Sequence, residues 1–210
     1  MKSITHCFYQ AIEWYRSHGR RFVWRTSRDW YVVLVAEFCL VRTRACVAER
    51  FVNELLRRYP TPQDLCRAED HELYTLFRSI GLPRRGPALR RTVCTILERY
   101  GGSLPCSYDD LINLPGIGRY IASALMTLVC GDQRPFIDTN VVRVLRRVTG
   151  ISSNDPTVFE RILLDSGAPI RDLCLALIDI ADAFCKPAKP RCSSCPLRDC
   201  CSHYVCSGGR

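Results

Sequence analysis

Residues 114–147 of this chain read LPGIGRYIASALMTLVCGDQRPFIDTNVVRVLRR. The first five residues form a segment that is too short and too rich in glycine and proline for a helix or a strand, so they predict a tight turn. Gly116 and Gly118 are expected to adopt positive φ and to leave their amides uncovered by side chains. The helix that begins at about Arg119 directs its free N–H groups and positive dipole end towards this turn. Such a helix start is an anion site, and DNA phosphate is the obvious anion.

A polar triplet, residues 138–140, interrupts apolar residues just before the next predicted helix, Val141 to Thr149. Asp138 opens this triplet and has two interpretations. It caps the helix N-terminus, as aspartate commonly does, or it is a functional carboxylate. The glycine turn upstream favours the functional interpretation.

The chain has 30 basic and 21 acidic residues, a net charge of +9. A surplus of this size suits a polyanionic partner. Two groups of arginines are candidate contact surfaces, although both are equally compatible with solvated helix faces: Arg84-Arg85 with Arg90-Arg91, and Arg143 with Arg146-Arg147.

The amino terminus has no apolar signal core, and the longest apolar runs are too short to cross a membrane or contain Glu37. We therefore expect a soluble monomer that is cytoplasmic, or nuclear in a eukaryote. Of the 14 cysteines, several are scattered singly within helical patterns, which is typical of buried free thiols in a reducing compartment. These are Cys39, Cys46, Cys66, Cys94, Cys130 and Cys174.

Apolar residues recur with the 3.6-residue period of helices, and sustained alternation of the strand type is missing from the sequence, so we predict an all-α fold. The helix predicted over residues 29–41 is apolar nearly all round and should be buried. Glu37 lies within it. A carboxylate there costs several kcal/mol of desolvation unless it is paired or neutral with a raised pKa. A buried arginine partner and a catalytic role are both open.

These segments resemble the helix-hairpin-helix and aspartate loop of the endonuclease III and MutY superfamily of DNA glycosylases. Residues 36–45, AEFCLVRTRA, are similar to the family's SEVMLQQTQV segment. The resemblance implies that Glu37 protonates the departing base and that Asp138 stabilises positive charge on the sugar. It implies that Arg42 fills the gap left by a flipped nucleotide. It also implies that Leu82 wedges into DNA, although Leu82 could simply pack.

The same resemblance implies a two-lobed helix-hairpin-helix DNA glycosylase fold. Residues 27–133 would form a six-helix barrel lobe, and residues 1–26 together with 134–210 a discontinuous lobe with an iron–sulfur cluster. Asp138 would lie at the cleft between the lobes. The DNA contacts implied for the hairpin are Gly116, Gly118 and Arg119.

Four cysteines near the C-terminus have the spacing C-x6-C-x2-C-x5-C: Cys185, Cys192, Cys195 and Cys201. From the residues alone, four thiolates can hold zinc or a [4Fe–4S] cluster. The spacing and the proline-rich first loop resemble the iron–sulfur loop of endonuclease III, which implies a [4Fe–4S] cluster with a structural role. Cys200 could compete with Cys201 as the fourth ligand.

The resemblance covers residues 26–201 and implies a base-excision-repair enzyme that flips a mismatched or damaged base out of double-stranded DNA and hydrolyses its N-glycosidic bond. Thymine or uracil opposite guanine is the expected substrate, because Val41-Arg42 stand where MutY has Gln-Gln and the chain stops at Arg210. One alternative is a MutY-like adenine glycosylase acting on A:8-oxoguanine or A:G. Another is a non-catalytic DNA-binding module with a redox cluster.

Tyr120 implies that this enzyme is monofunctional. Bifunctional relatives such as endonuclease III have the sequence LPGVGRK, whose lysine forms a Schiff base with the sugar. Here LPGIGRY has Tyr120 at that position, and a phenol cannot form a Schiff base. Water assisted by Asp138 would then be the nucleophile. Alternatively, Tyr120 only packs and another amine attacks the sugar.

Overall fold

The structure, a computed structural model of the chain, describes residues 3–40 and 45–206. Its regular structure in these ranges is entirely helical, which confirms the all-α prediction. The α-helices described are α1 (Ile4–His18), α2 (Val23–Thr26), α3 (Trp30–Cys39), α4 (Ala45–Arg58), α5 (Pro62–Arg67), α6 (Asp70–Arg78), α7 (Arg85–Arg99), α8 (Tyr108–Ile112), α9 (Arg119–Leu128), α10 (Thr139–Thr149), α11 (Pro156–Asp165), α12 (Ile170–Ala183) and α13 (Ser202–Cys206).

The chain divides into two compact units. One unit is Met1–Arg20 with Gln133–Arg210, and the other is Arg21–Asp132. The sequence predicts borders after residues 26 and 133. In the structure the first border follows Arg20, so the short helix α2 belongs to the Arg21–Asp132 unit. Among the helices of the described ranges, none combines the length and apolar character that a membrane span requires.

The Arg21–Asp132 unit is built around α3, which is buried from Val33 to Cys39. Helices α4, α7 and α9 pack against it. Helix α7 also packs closely on α6, because Gly86 has no Cβ; a Cβ there would lie 2.5 Å from the carbonyl oxygen of Leu73. The second half of α3, which contains Glu37, is therefore enclosed by other helices.

The other unit joins the first segment of the chain to the last. Helix α1 packs on α12, and Arg20, just after α1, binds Asp179 of α12. The backbone N–H of Arg20 donates to Oδ2 of Asp179 over 2.9 Å, and its Nε donates to Oδ1 over 2.6 Å. The Asp179 side chain is 2% exposed. A buried carboxylate needs such charged and hydrogen-bonding partners to offset its desolvation.

The expectation of scattered free thiols is wrong for several cysteines. Disulfides join Cys7 to Cys200, Cys66 to Cys94, and Cys106 to Cys130. The partners lie 193, 28 and 24 residues apart in the chain, and helix packing brings their Cα atoms within the 4.4–6.8 Å range that is usual for disulfides. Cys39 and Cys174 are buried free thiols as predicted, and the side chain of Cys46 lies outside the described part of the chain.

Candidate functional site

The hairpin turn between α8 and α9 is held by two buried side chains, Leu114 and Ile117. The N–H of Ile117 donates to the carbonyl of Leu114 over 3.2 Å and closes the turn. Between them Gly116 has φ +77°, a conformation that favours glycine. A Cβ at Gly116 would lie 3.2 Å from the ring of Phe38, so this position also needs glycine for space.

Gly118 differs from the prediction of positive φ. It is extended, with φ −100° and ψ 176°, and it is the N-cap of α9. Any residue adopts this conformation, and a Cβ there would meet no described atom within 4 Å. The consequence of Gly118 is different: no side chain in the described ranges caps this helix start. Arg119, the first residue of α9, is exposed.

Helix α7 is joined to the hairpin turn by a hydrogen bond. The buried hydroxyl of Thr92 hydrogen-bonds the carbonyl oxygen of Pro115 and that of Ala88, the latter over 2.9 Å. Because Pro115 precedes Gly116, this contact holds the turn at its tightest point.

Glu37 is 4% exposed within α3, and a cation lies near it. The guanidinium carbon of Arg85 lies 5.4 Å from the centre of the Phe38 ring, over its face. Burial lowers the pKa of Arg85, and the charges of Cys39 and Glu37 oppose this effect. Arg85 is thus within electrostatic reach of Glu37. Whether a buried arginine pairs with Glu37, which the sequence leaves open, stays a prediction.

The remaining site residues of this unit are placed locally. Tyr120 is partly buried in the first turn of α9. Leu82 is partly exposed in the turn between α6 and α7, where its N–H donates to the carbonyl of Phe77 over 3.0 Å. Arg42 lies outside the described residues. Their roles stay predictions.

Asp138 in the other unit is the N-cap of α10. Its Oδ1 accepts hydrogen bonds from the backbone N–H groups of Asn140 and Val141 over 2.9 and 2.7 Å. Its Oδ2 accepts from Nδ2 of Asn140 over 2.8 Å. Asp138 therefore caps α10, as one of its two interpretations predicts. A functional role for its carboxylate stays a prediction, and the cap fixes that carboxylate in one orientation at the positive end of a helix.

A chain of hydrogen bonds connects Asp138 to the cysteine-rich segment. Nη1 of Arg143 donates to Oδ1 of Asn140 over 2.9 Å, and its Nε donates to the carbonyl of Cys185 over 2.8 Å. Sequence reasoning missed Asn140 and interpreted Arg143 as a contact surface or a solvated face. The signal available was the helical spacing of residues 140 and 143, which places both on one face of α10.

The four predicted cysteine ligands line one cavity, together with Arg147 of α10. Nη1 of Arg147 donates to Sγ of Cys185 over 3.2 Å. The pKa of Cys195 is raised to about 12, mainly by burial and also by the charges of the other three cysteines. The sulfur of Cys195 thus lies within electrostatic reach of the other three. Cys200 is bonded to Cys7, which leaves Cys201 as the fourth thiol.

The spacing of these thiols bears on what they can hold. Four sulfurs around one zinc ion lie about 3.8 Å apart, as tetrahedral bonds of about 2.3 Å require. Among the described residues, no three His, Cys, Asp or Glu side chains converge in this way on one point. A cubane cluster instead binds each thiolate at a different iron, so its sulfurs stand further apart. Four thiols that line one cavity suit a metal group held by cysteine.

Comparison with known proteins agrees with this geometry. Residues 35–169 match the HhH-GPD superfamily of base excision DNA repair proteins. The chain belongs to this superfamily. It is 37% identical over 206 residues to the thymine-DNA glycosylase of Aeropyrum pernix, covering 93% of this chain and 92% of that protein. It is 32% identical over 197 residues to the thymine/uracil-DNA glycosylase of Pyrobaculum aerophilum, covering 89% and 86%.

A solved structure gives the same result for the fold. The structure of a thermostable thymine-DNA glycosylase superposes with a TM-score of 0.84 at 28% identity, covering 94% of each chain. The HhH-GPD match contains Glu37, the hairpin and Asp138, and it ends before the four cysteines. Membership of the superfamily confirms the resemblance that the hairpin and the aspartate loop indicated.

The two hairpin glycines should respond differently to alanine. Gly116→Ala forces a side chain into positive φ and against Phe38, so we expect a loss of about 1–2 kcal/mol, or roughly 3–6 °C in melting temperature. Gly118→Ala, in open extended backbone, should melt within about 1 °C of the wild type. Thermal unfolding followed by circular dichroism measures both. Equal destabilisation by the two variants would contradict this account of the turn.

Proposed function

We propose that this protein is a DNA glycosylase that hydrolyses the N-glycosidic bond of thymine or uracil opposite guanine and leaves the strand uncut. The observation that carries the proposal is the extent of its likeness to thymine and thymine/uracil glycosylases, which covers nine-tenths of the chain. The match to the superfamily includes both carboxylates that such chemistry needs, Glu37 and Asp138.

Double-stranded DNA would bind at the hairpin. The start of α9, which no described side chain caps, suits a phosphate oxygen, because it is the positive end of the helix dipole. Arg119 adds an exposed positive charge there. The net charge of +9 favours association with DNA of any sequence.

The base would then be flipped out of the helix stack. As the bond between C1′ of the sugar and the base nitrogen breaks, its electron pair passes to the base. Glu37 donates a proton to the base and becomes a carboxylate. The Asp138 carboxylate, oriented by Asn140 and the first turn of α10, offsets the positive charge that develops on the sugar. Water then attacks C1′.

The four cysteines Cys185, Cys192, Cys195 and Cys201 would bind a [4Fe–4S] cluster. The support is the cavity that the four cysteines share, together with the resemblance of their spacing to the iron–sulfur loop of endonuclease III. When bound, the cluster supplies four iron–thiolate bonds that cross-link the C-terminal loop. Arg143 and Arg147 hold this loop against α10 through the carbonyl and the sulfur of Cys185, so the role we propose for the cluster is structural.

Asp138→Asn separates capping from catalysis, because asparagine caps helices as well as aspartate does. We expect an unchanged melting temperature and a loss of base release of at least about 100-fold. The assay is alkali-induced cleavage of duplexes with T:G, U:G, A:8-oxoguanine, A:G and thymine glycol. Release confined to A:8-oxoguanine would replace the proposed substrate with adenine. Equal base release by wild type and variant would show that Asp138 is not a catalytic carboxylate, and no release from any duplex by the wild type would leave DNA binding without catalysis.

The cluster is tested by metal analysis after anaerobic purification. The wild type should contain about four irons per chain, and Cys192→Ser should lose most of them. Cys206→Ser is the matched control, since Cys206 is a free, exposed cysteine outside the four, and it should keep its iron. Stoichiometric zinc without iron in the wild type would contradict the cluster.

Tyr120 is tested by trapping with borohydride, which reduces a Schiff base to a stable adduct. The wild type should give no adduct above background and should nick DNA only after alkali. Tyr120→Lys should gain both a trapped complex and strand cleavage, because its amine is in the position of the family's lysine. Efficient trapping by the wild type would show that a different amine reaches the sugar.

A further inference from the structure

We propose that Arg85 is the electrostatic partner of Glu37, and that its guanidinium stabilises the negative charge which accumulates on Glu37 and the departing base. This inference rests on the proposed glycosylase function. It adds a positioning residue to the site, one that neither the hairpin nor the aspartate loop contains.

The position of Arg85 is set by the ring of Phe38. Arg85 is the first residue of α7, and its guanidinium carbon lies 5.4 Å from the centre of that ring. Phe38 directly follows Glu37 in α3, so the cation is held at the turn of α3 that contains the acid. A guanidinium over an aromatic face is attracted by the electron-rich face of the ring, more strongly where water is excluded.

Both helices are fixed to the hairpin, so Arg85 has little freedom to leave this place. The Phe38 ring is 1% exposed and lies within 3.2 Å of the Cβ position of Gly116. One turn along α7 from Arg85, the Cβ of Ala88 lies 3.3 Å from the same Cβ position of Gly116. One turn further, Thr92 hydrogen-bonds Pro115. The cation, the acid and the hairpin therefore share one rigid framework.

One hydrogen-bonding group of Arg85 is unused. Its Nη1 is buried, and among the described residues no atom accepts a hydrogen bond from it. A buried donor without an acceptor costs about 1–3 kcal/mol, and more when it is charged. Such a group calls for an explanation. An acceptor that forms during the reaction supplies one: the Glu37 carboxylate, or a carbonyl oxygen of the departing pyrimidine.

Glu37 is also the acidic group that Arg85 faces at neutral pH. The two acidic groups that act on it are Cys39 and Glu37. Burial raises the pKa of Cys39 far above its usual value, so this thiol stays protonated and neutral. Arg85 itself keeps its charge despite burial, because the guanidinium pKa begins above 12. The cation therefore acts on Glu37.

The charge balance of the reaction shows where Arg85 acts. Before bond cleavage the base and a protonated Glu37 are both neutral. Afterwards the base has gained the electron pair of the broken bond and the proton of Glu37, and Glu37 is a carboxylate. As the bond breaks, the negative charge shared between the base and Glu37 grows from zero to one, and an equal positive charge develops on the sugar. A fixed cation beside them stabilises this charge before water takes part.

The test compares two bases that differ in leaving ability. Fluorine at C5 of uracil withdraws electrons and stabilises the departing base, so 5-fluorouracil needs less help from Arg85 than uracil does. We expect Arg85→Gln to slow single-turnover release of uracil from U:G at least about tenfold. Release of 5-fluorouracil opposite guanine should slow by a much smaller factor. The dissociation constant for DNA should change less than the rate.

Two further variants complete the design. Arg85→Lys keeps the positive charge that Arg85→Gln removes, so it should release uracil faster than Arg85→Gln does. Arg99→Gln removes an exposed arginine from the last turn of the same helix and should leave both rates unchanged. Melting temperatures of all variants report effects on packing separately. If Arg85→Gln does not fold, the release rates of uracil and 5-fluorouracil by Arg85→Lys are compared with those of the wild type instead.

The outcomes are distinct. If Arg85→Gln slows the release of uracil and of 5-fluorouracil equally, Arg85 has only a packing role and the inference is overturned. The inference is also overturned if Arg85→Lys releases uracil as slowly as Arg85→Gln does. No slowing by Arg85→Gln would also overturn it. A wild type that releases neither base would instead remove the proposed function, and this inference with it.

Discussion

The contact between Phe38 and Gly116 is the constraint on which the Arg21–Asp132 unit depends. A buried ring from α3 approaches a turn residue so closely that a Cβ would lie 3.2 Å from it, and the turn has the positive φ that glycine tolerates. Because Glu37 precedes Phe38 and Arg85 lies over the same ring, one contact sets the relation between the hairpin turn, Glu37 and Arg85. A larger residue at 116 would disturb all three.

In the other unit, the corresponding constraint is the anchoring of α10. Asp138 caps its first turn, Asn140 joins Asp138 to Arg143, and Arg143 reaches the carbonyl of Cys185. A carboxylate that stabilises developing charge is effective only if it need not reorient during the reaction. The hydrogen bonds of α10 provide this, and the cysteine loop in turn supports α10. The cysteine loop therefore helps to hold the carboxylate of Asp138 in one orientation.

The sequence predicted what depends on local pattern. Helical periods gave the fold class and nearly all the helices, and the hairpin with its aspartate loop gave the superfamily. Prediction from the sequence failed for features that depend on packing between distant segments of the chain. Arg84 and Arg85 are equivalent in sequence, yet Arg84 is exposed whereas Arg85 lies on Phe38. Disulfide partners up to 193 residues apart leave no local signal, and Gly118 proved to be extended.

The cysteines illustrate how packing resolves an ambiguity that spacing leaves open. Cys200 and Cys201 are adjacent, and either thiol satisfies the ligand spacing of the C-terminal loop. The bond between Cys200 and Cys7 removes one of them from competition, because a sulfur already in a disulfide has no thiolate to offer a metal. The same bond ties α1 to the loop. The arrangement therefore depends on α1 being in place, so the first helix of the chain helps to decide which sulfur faces the cavity between α10 and α12.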